Sequence, residues 1–156
     1  MEEYIYVKST DEGYINEIYK ILLRCGLNML KQGLFHWLKP YPKSAIKHDC
    51  NTKQVVLVKD LETGIFTSTF QMFINEDNNL YVRKIATSPH VEGKGLGKKN
   101  MRYMETYAKG HGCSKICLDV YKKSTRAVNF YKKNGFKIVG ERRARFCSEY
   151  VMEKII

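Results

Sequence analysis

Between residues 89 and 99 the chain reads Pro89-His90-Val91-Glu92-Gly93-Lys94-Gly95-Leu96-Gly97-Lys98-Lys99. Three alternate glycines there keep side chains out of a turn that separates a strand pattern from a helical one. Successive backbone N–H groups can then converge on an anion seated at the helix N-terminus. The helix end alone contributes only ~0.3–1 kcal/mol toward an exposed anion, so the adjoining Lys94, Lys98 and Lys99 supply the remaining charge. The stretch reads as a cradle for a diphosphate. It is not a P-loop, which places Lys and then Ser or Thr after its last glycine. Nor is it the dinucleotide fingerprint, which has glycine where Lys98 stands.

Working outward, Leu80 to Thr87 reads as the strand that feeds the turn. Asp77-Asn78-Asn79 turns the chain into it from an antiparallel hairpin, Val55 to Val58 and Ile65 to Asn75. Further upstream, Tyr4 to Lys8 predicts a strand, and Ser9 with Glu12 forms a capping box. Ile15, Ile18, Tyr19, Leu22 and Leu23 share a helical face, which Leu27, Leu30, Leu34 and Trp37 extend, so one kinked helix or two run until Pro40 and Pro42. Downstream, a helix from about Gly95 to Lys109 turns Leu96, Met101, Met104 and Ala108 inward, and Ile116 to Val120 follows as a strand. Ser124 caps a last helix with Ala127, Phe130 and Tyr131 on one face, stopped by Asn134-Gly135. Phe136 to Gly140 and Phe146 to Lys154 supply the final strands. Hairpins mixed with crossovers predict an α+β (mixed α/β) fold in a single domain, residues 1–156.

A second motif narrows the reading. Ser124-Thr125-Arg126-Ala127-Val128-Asn129-Phe130-Tyr131-Lys132-Lys133-Asn134-Gly135-Phe136 sets Asn and Tyr two apart on a helix that ends in a Gly-Phe strand start. The two motifs, in this order, resemble the GNAT superfamily of acetyl-CoA-dependent N-acetyltransferases. That family's diphosphate loop reads Gln/Arg-x-x-Gly-x-Gly/Ala, and its later helix reads Asn-x-x-Ala-x-x-Phe-Tyr-x-x-x-Gly-Phe. The resemblance covers roughly Leu80 to Lys154. It implies a three-layer fold with a mixed, mostly antiparallel sheet of about seven strands flanked by helices, an acceptor-side half over residues 1–79 and a cofactor half over residues 80–156. Two positions depart from the pattern: Glu92 stands where Gln or Arg is usual, and Ser124 where Asn is usual. Glu92 is expected to point outward and leave phosphate binding to the backbone.

By that resemblance, the backbone of Ile85, Ala86 and Thr87 would hold the pantetheine arm of acetyl-CoA. Gly93, Lys94, Gly95, Leu96, Gly97 and Lys98 would hold its diphosphate, and Asn129 would touch the cofactor. Tyr131 would lie beside the sulfur as the catalytic acid. A phenol of pKa ~10 is protonated at neutral pH and suits the expulsion of a thiolate. An amine of pKa ~10.4 costs about 4–5 kcal/mol to present neutral at pH 7, yet Leu80 to Ile85 carries no carboxylate, so the general base stays unassigned. Phe35-His36-Trp37-Leu38 would form one wall of the acceptor pocket, with Trp37 read as core. His36 and His90 read as surface histidines, and Arg142-Arg143-Ala144-Arg145 as a solvated basic turn.

Composition bounds the partners. The formal charge of +11 is concentrated in residues 83–145, where seventeen Lys and Arg face four Asp and Glu. Such a field suits a polyphosphorylated small molecule and would equally greet nucleic acid. Two alternatives are therefore carried beside N-acetyl transfer to a primary amine: a basic nucleic-acid-binding module, and a catalytically weak CoA-binding regulatory protein. Five scattered cysteines exclude a complete disulfide framework, and Met1-Glu2-Glu3 opens without a secretory signal, which points to the cytoplasm. Cys113 and Cys117 have three intervening residues, not zinc spacing, and read as buried thiols, so no metal is expected. No apolar run is long enough for a membrane span. Many members of the resembled family pair as homodimers, and the sequence leaves the oligomeric state open.

Overall fold

A computed structural model describes residues 1–35, 37, 39–144 and 147–156. The elements run β1 (Glu2–Tyr6), α1 (Glu12–Lys31), α2 (Lys43–Thr52), β2 (Gln54–Asp60), β3 (Phe66–Ile74) and β4 (Leu80–Thr87). A 3₁₀ turn at Pro89–Val91 leads into α3 (Leu96–Gly110), β5 (Lys115–Tyr121), α4 (Thr125–Lys133), β6 (Lys137–Arg143) and β7 (Ser148–Ile155). The strands form a seven-stranded sheet in the order β1-β2-β3-β4-β5-β7-β6. β1 pairs antiparallel with β2, β2 with β3, β5 with β7 and β6 with β7. β4 runs parallel to β5 through Leu80 and Tyr81, opposite Ile116 and Cys117. The α+β expectation, its seven strands and its mostly antiparallel pairing hold.

The chain groups into two compact units, Met1–Met72 with Lys84–Leu96, and Phe73–Arg83 with Gly97–Ile156. In the first, Ile15, Ile18, Ile21, Leu22 and Cys25 form the buried stripe of α1, at the three- and four-residue spacing that turns side chains to one face. They pack with Val7, Ile46, Val55, Leu57 and Ala86. β3 carries a buried polar run, Thr67-Ser68-Thr69, and the hydroxyls of Thr67 and Thr69 donate to the Val58 and Val56 carbonyls of β2. Those bonds offset the cost of burying hydroxyls.

In the second unit, Met101, Met104 and Ala108 of α3 are buried as their spacing predicts, with Ile116, Leu118 and Met152 from the strands. The Lys154 ammonium of β7 pairs with the Glu105 carboxylate of α3. Cys113 and Cys117 are buried free thiols. Among the described residues no group of His, Cys, Asp and Glu could hold a metal ion, and no helix is long and apolar enough to cross a membrane.

Several local expectations are corrected. α1 is one helix ending at Lys31, because Gly33 adopts φ +78° and Met29 and Leu30 are capped by backbone N–H groups, so Leu34 and Trp37 lie beyond it. Ser9 makes no cap: the N-cap is Asp11, without a side-chain cap bond, and the Asp11 carboxylate instead accepts from the Lys8 N–H at 2.9 Å. Ser124 likewise occupies the N-cap of α4 without a side-chain cap bond, and α4 buries Val128 with Tyr131 rather than Ala127. Helix α2 was not expected from sequence. Arg142 and Arg143 belong to β6, and the Arg142 guanidinium donates to Asp119 at 2.9 Å, so that part of the basic turn is paired. The expectations for His36, Leu38, Arg145 and Phe146 fall outside the described residues.

Candidate functional site

The glycine turn has two kinds of glycine. Gly93 and Gly95 adopt φ +80° and +78°, and a Cβ added at either would meet no atom within 4 Å. They are needed for backbone conformation, and the space beside them is open. Gly97 has ordinary φ, but a Cβ there would come within 2.9 Å of the Phe130 ring of α4. Its job is close approach: it lets the first turn of α3 lie against α4 within the second unit. The amides of Gly93 and Gly95 find no backbone acceptor among the described residues. Lys94, Lys98 and Lys99 are exposed around them. A turn with open space, amide donors and lysines at the head of a fifteen-residue helix fits a diphosphate, and therefore fits acetyl-CoA.

Tyr131 sits in a ring cluster, its ring 5.4 Å from that of Phe130 and 5.7 Å from that of Phe136, both edge-on. Burial pushes its phenol up, so it carries its proton throughout the physiological range. Its hydroxyl makes no hydrogen bond among the described residues. Packing and proton donation are therefore compatible here: the ring is fixed and the O–H is uncommitted. Asn129, its neighbour on α4, is exposed, as is His90, and Glu92 is exposed as expected.

At the end of β4 the Thr87 carbonyl is already engaged, accepting from the Cys25 thiol of α1 at 3.0 Å. Burial, and then the charge of Glu92, push that thiol up to about 12, so it serves as a neutral donor and not as a nucleophile. Ser88 continues the strand, its N–H donating to the Thr67 carbonyl at 2.7 Å. Ile85 and Thr87 are half-buried and Ala86 is buried.

Sequence reasoning did not single out Lys84, Tyr41 or Asp49. Lys84 adopts φ +51°, a left-handed conformation that costs a non-glycine residue about 1–3 kcal/mol and persists only where its surroundings dictate it. Its ammonium lies 4.3 Å from the centre of the Tyr41 ring and 5.5 Å from that of Trp37. The Tyr41 hydroxyl donates to the Asp49 carboxylate at 2.6 Å. That carboxylate, 4% exposed, also accepts from the Gln71 amide at 2.9 Å and lies 3.7 Å from the Lys53 ammonium. A buried charge so surrounded is a fixed point that sets the Tyr41 ring. Trp37 approaches α1 closely because position 26 is glycine: a Cβ there would meet the Trp37 carbonyl oxygen at 2.9 Å. Gly26, Trp37, Tyr41 and Lys84, with Leu22, Leu27 and Leu30 of α1, line a cleft of about 100 Å³ in the first unit. Trp37 is thus packed against the core, as expected, and also forms a wall. The one signal in the sequence was the Pro40-Tyr41-Pro42 break, which stiffens the segment that carries Tyr41.

Comparison with known proteins agrees with this arrangement. A probable spermine N(1)-acetyltransferase of Bacillus subtilis subsp. natto is 30% identical over 81 residues, 51% of this chain and 52% of that relative, so the chain spans about half the relative's length. The fold matches the ribosomal-protein-S18-alanine N-acetyltransferase of Escherichia coli at a TM-score of 0.78, with 16% identity over 100% of this chain and 94% of that one. It also matches a PaiA N-acetyltransferase of Thermoplasma acidophilum in complex with coenzyme A, at a TM-score of 0.76 with 15% identity over 100% and 99% of the two chains. The model of the acetyltransferase (GNAT) family matches residues 15–136, most of the chain and both motifs, and the protein belongs to that family.

Proposed function

We propose that this protein transfers the acetyl group of acetyl-CoA to a primary amine. The observation that carries the reading is the open glycine turn, whose uncommitted amides and exposed lysines stand at the N-terminus of α3. The diphosphate binds to Gly93, Lys94, Gly95, Leu96, Gly97 and Lys98. The backbone of Ile85, Ala86 and Thr87 takes the pantetheine arm, and Asn129 contacts the cofactor. Two observations support the strand's part: the β4–β5 ladder uses Leu80 and Tyr81, leaving the later residues out of it, and the Thr87 carbonyl is held in place by Cys25.

In the reaction the neutral amine nitrogen attacks the thioester carbonyl, the carbon–sulfur bond breaks, and the thiolate leaves with the electron pair. A backbone N–H near Ile85 steadies the oxyanion, and Tyr131 gives its proton to the departing sulfur. The amine's proton passes to solvent, since no carboxylate lies on β4. The setting is the cytoplasm, in keeping with five cysteines that are all free. Neither nucleic acid nor a membrane takes part, and sedimentation decides between monomer and homodimer. The test is release of free coenzyme A from acetyl-CoA with an amine panel, run beside the Tyr131→Phe variant. Turnover by the wild type, with kcat lowered at least about tenfold in the variant and acetyl-CoA affinity kept, supports the reading. Equal kcat in the two proteins removes Tyr131 as the acid.

A further inference from the structure

β4 and β5 are paired over a short stretch only. Leu80 stands opposite Ile116 and Tyr81 opposite Cys117, and the parallel ladder ends there, although β4 continues to Thr87 and β5 to Tyr121. Parallel pairing is slightly less stable per residue than antiparallel, and the end of so short a ladder frays unless something besides backbone bonds ties it. Side chains supply the tie. From the last laddered residue, the Tyr81 hydroxyl donates to the Asp119 carboxylate of β5 at 2.8 Å. Asp119 is two residues beyond Cys117, so it emerges on the same face of the strand.

Each partner is itself held. The Tyr81 ring stacks on that of Phe73 from β3, with centroids 5.4 Å apart and planes at 16°. Burial, and then the bond to Asp119, push the phenol up, so the proton that makes the bond stays in place at physiological pH. The other oxygen of Asp119 accepts from the Arg142 guanidinium of β6 at 2.9 Å, and Arg142 lies 3.7 Å from the Glu149 carboxylate of β7. Each strand from β3 to β6 in the sheet order thus contributes a side chain, all within the second unit. The Arg142 side chain is 56% exposed, so its ion pairs add little to global stability. Their effect is directional: they hold the Asp119 carboxylate facing Tyr81.

We propose that Tyr81 and Asp119 form a clasp that fixes where β4 parts from β5 and so positions the β4 backbone that takes the pantetheine arm. This rests on the transferase reading above, in which the arm runs along Ile85, Ala86 and Thr87, the residues that follow Tyr81 on the same strand. Tyr81, Asp119 and Arg142 are positioning residues. With the clasp closed, β4 leaves the ladder at one residue and carries its later amides in one register. With it open, the ladder end frays and acetyl-CoA must reorder the strand as it binds, which weakens affinity.

The experiment is calorimetric titration of the wild type, Tyr81→Phe, Asp119→Asn, Asp119→Leu and the Tyr81→Phe/Asp119→Leu double variant. The two ligands are acetyl-CoA and 3′-phospho-ADP, the nucleotide part of coenzyme A without the arm. Tyr81→Phe keeps the ring stack and leaves Asp119 its Arg142 partner, so the fold is retained. It should weaken acetyl-CoA about tenfold and leave 3′-phospho-ADP within about twofold of the wild type. Asp119→Leu should match Tyr81→Phe, and Asp119→Asn, which still offers the phenol an oxygen, should keep most of the affinity. The double variant should bind acetyl-CoA no more weakly than the weaker single one, because both remove the same bond. A Tyr81→Phe protein with a lowered urea midpoint but unchanged acetyl-CoA affinity overturns the clasp and leaves the transferase standing. Equal weakening of both ligands, or losses that add in the double variant, overturns it as well. A wild type that binds neither ligand overturns the transferase reading itself.

Discussion

Gly95→Ala isolates the claim that the turn is built by backbone conformation. The new methyl group meets nothing within 4 Å, so it introduces no clash, and the whole cost comes from holding alanine at φ +78°. A left-handed L-residue costs about 1–2 kcal/mol. In a domain of this size 1 kcal/mol corresponds to about 2–4 °C in Tm, so a loss of about 2–8 °C is expected if the turn keeps its shape. If the turn relaxes instead, Tm is spared and acetyl-CoA must restore the shape on binding, which weakens its affinity about fivefold to thirtyfold. Scanning fluorimetry with and without acetyl-CoA, together with calorimetric titration, reads both quantities. Gly13→Ala is the control, because its Cβ also meets nothing and its φ is ordinary. A Gly95→Ala protein matching the wild type in both Tm and acetyl-CoA affinity would refute the reasoning.

Three further outcomes are expected. Gly26→Ala should lower Tm although alanine is the better helix former by about 1 kcal/mol. Its Cβ would meet a backbone oxygen, and overpacking of that kind costs about 1–3 kcal/mol, so a higher Tm would show that the Trp37 segment shifts freely. Asp49→Ala leaves the Tyr41 hydroxyl and the buried Gln71 amide without their acceptor. It should destabilise the protein by about 2 kcal/mol or more in urea unfolding, and an unchanged midpoint would remove the network's anchoring role. Stability should also decline on the alkaline side. The Cys25 thiol is raised from 9.0 to about 12 in the folded chain, so the unfolded chain ionises first, and stability present below pH 9 is lost as pH rises toward 12. Each thiol so raised contributes a slope of up to about 1.4 kcal/mol per pH unit, and Cys25→Ala should flatten the curve. An equally steep curve in that variant would place the effect elsewhere.

The two ends of the fold differed in how plainly they could be read. β4, α3, β5 and α4 were legible because their periodicity, their stop signals and the glycine turn agreed with one another: the inward residues of α3 are those its spacing indicated, and β4 spans the predicted Leu80–Thr87. α2 was not legible. Only Ile46 and Asp49 of its ten residues are buried, and a helix that short is marginal by its own propensities, so packing against α1 and β2 decides that it forms. The Arg142 pairing was likewise hidden, because Asp119 lies 23 residues away in sequence.

The sequence by itself determined the glycine turn proposed for the diphosphate. Gly93 and Gly95, just before an amphipathic helix, constrain their own backbone, and local geometry is all that they require, whereas Gly97 answers to the Phe130 ring of α4. It determined that Tyr131 would sit on an apolar face, but not that its hydroxyl would be left uncommitted. Only the tertiary structure decided the cleft beside Lys84, where Gly26 meets Trp37, Tyr41 meets Asp49 across a turn of the chain, and Lys84 reaches both rings from a distant segment. Long-range contacts of that kind follow from the sum of packing over the unit, and no spacing within a short window encodes them.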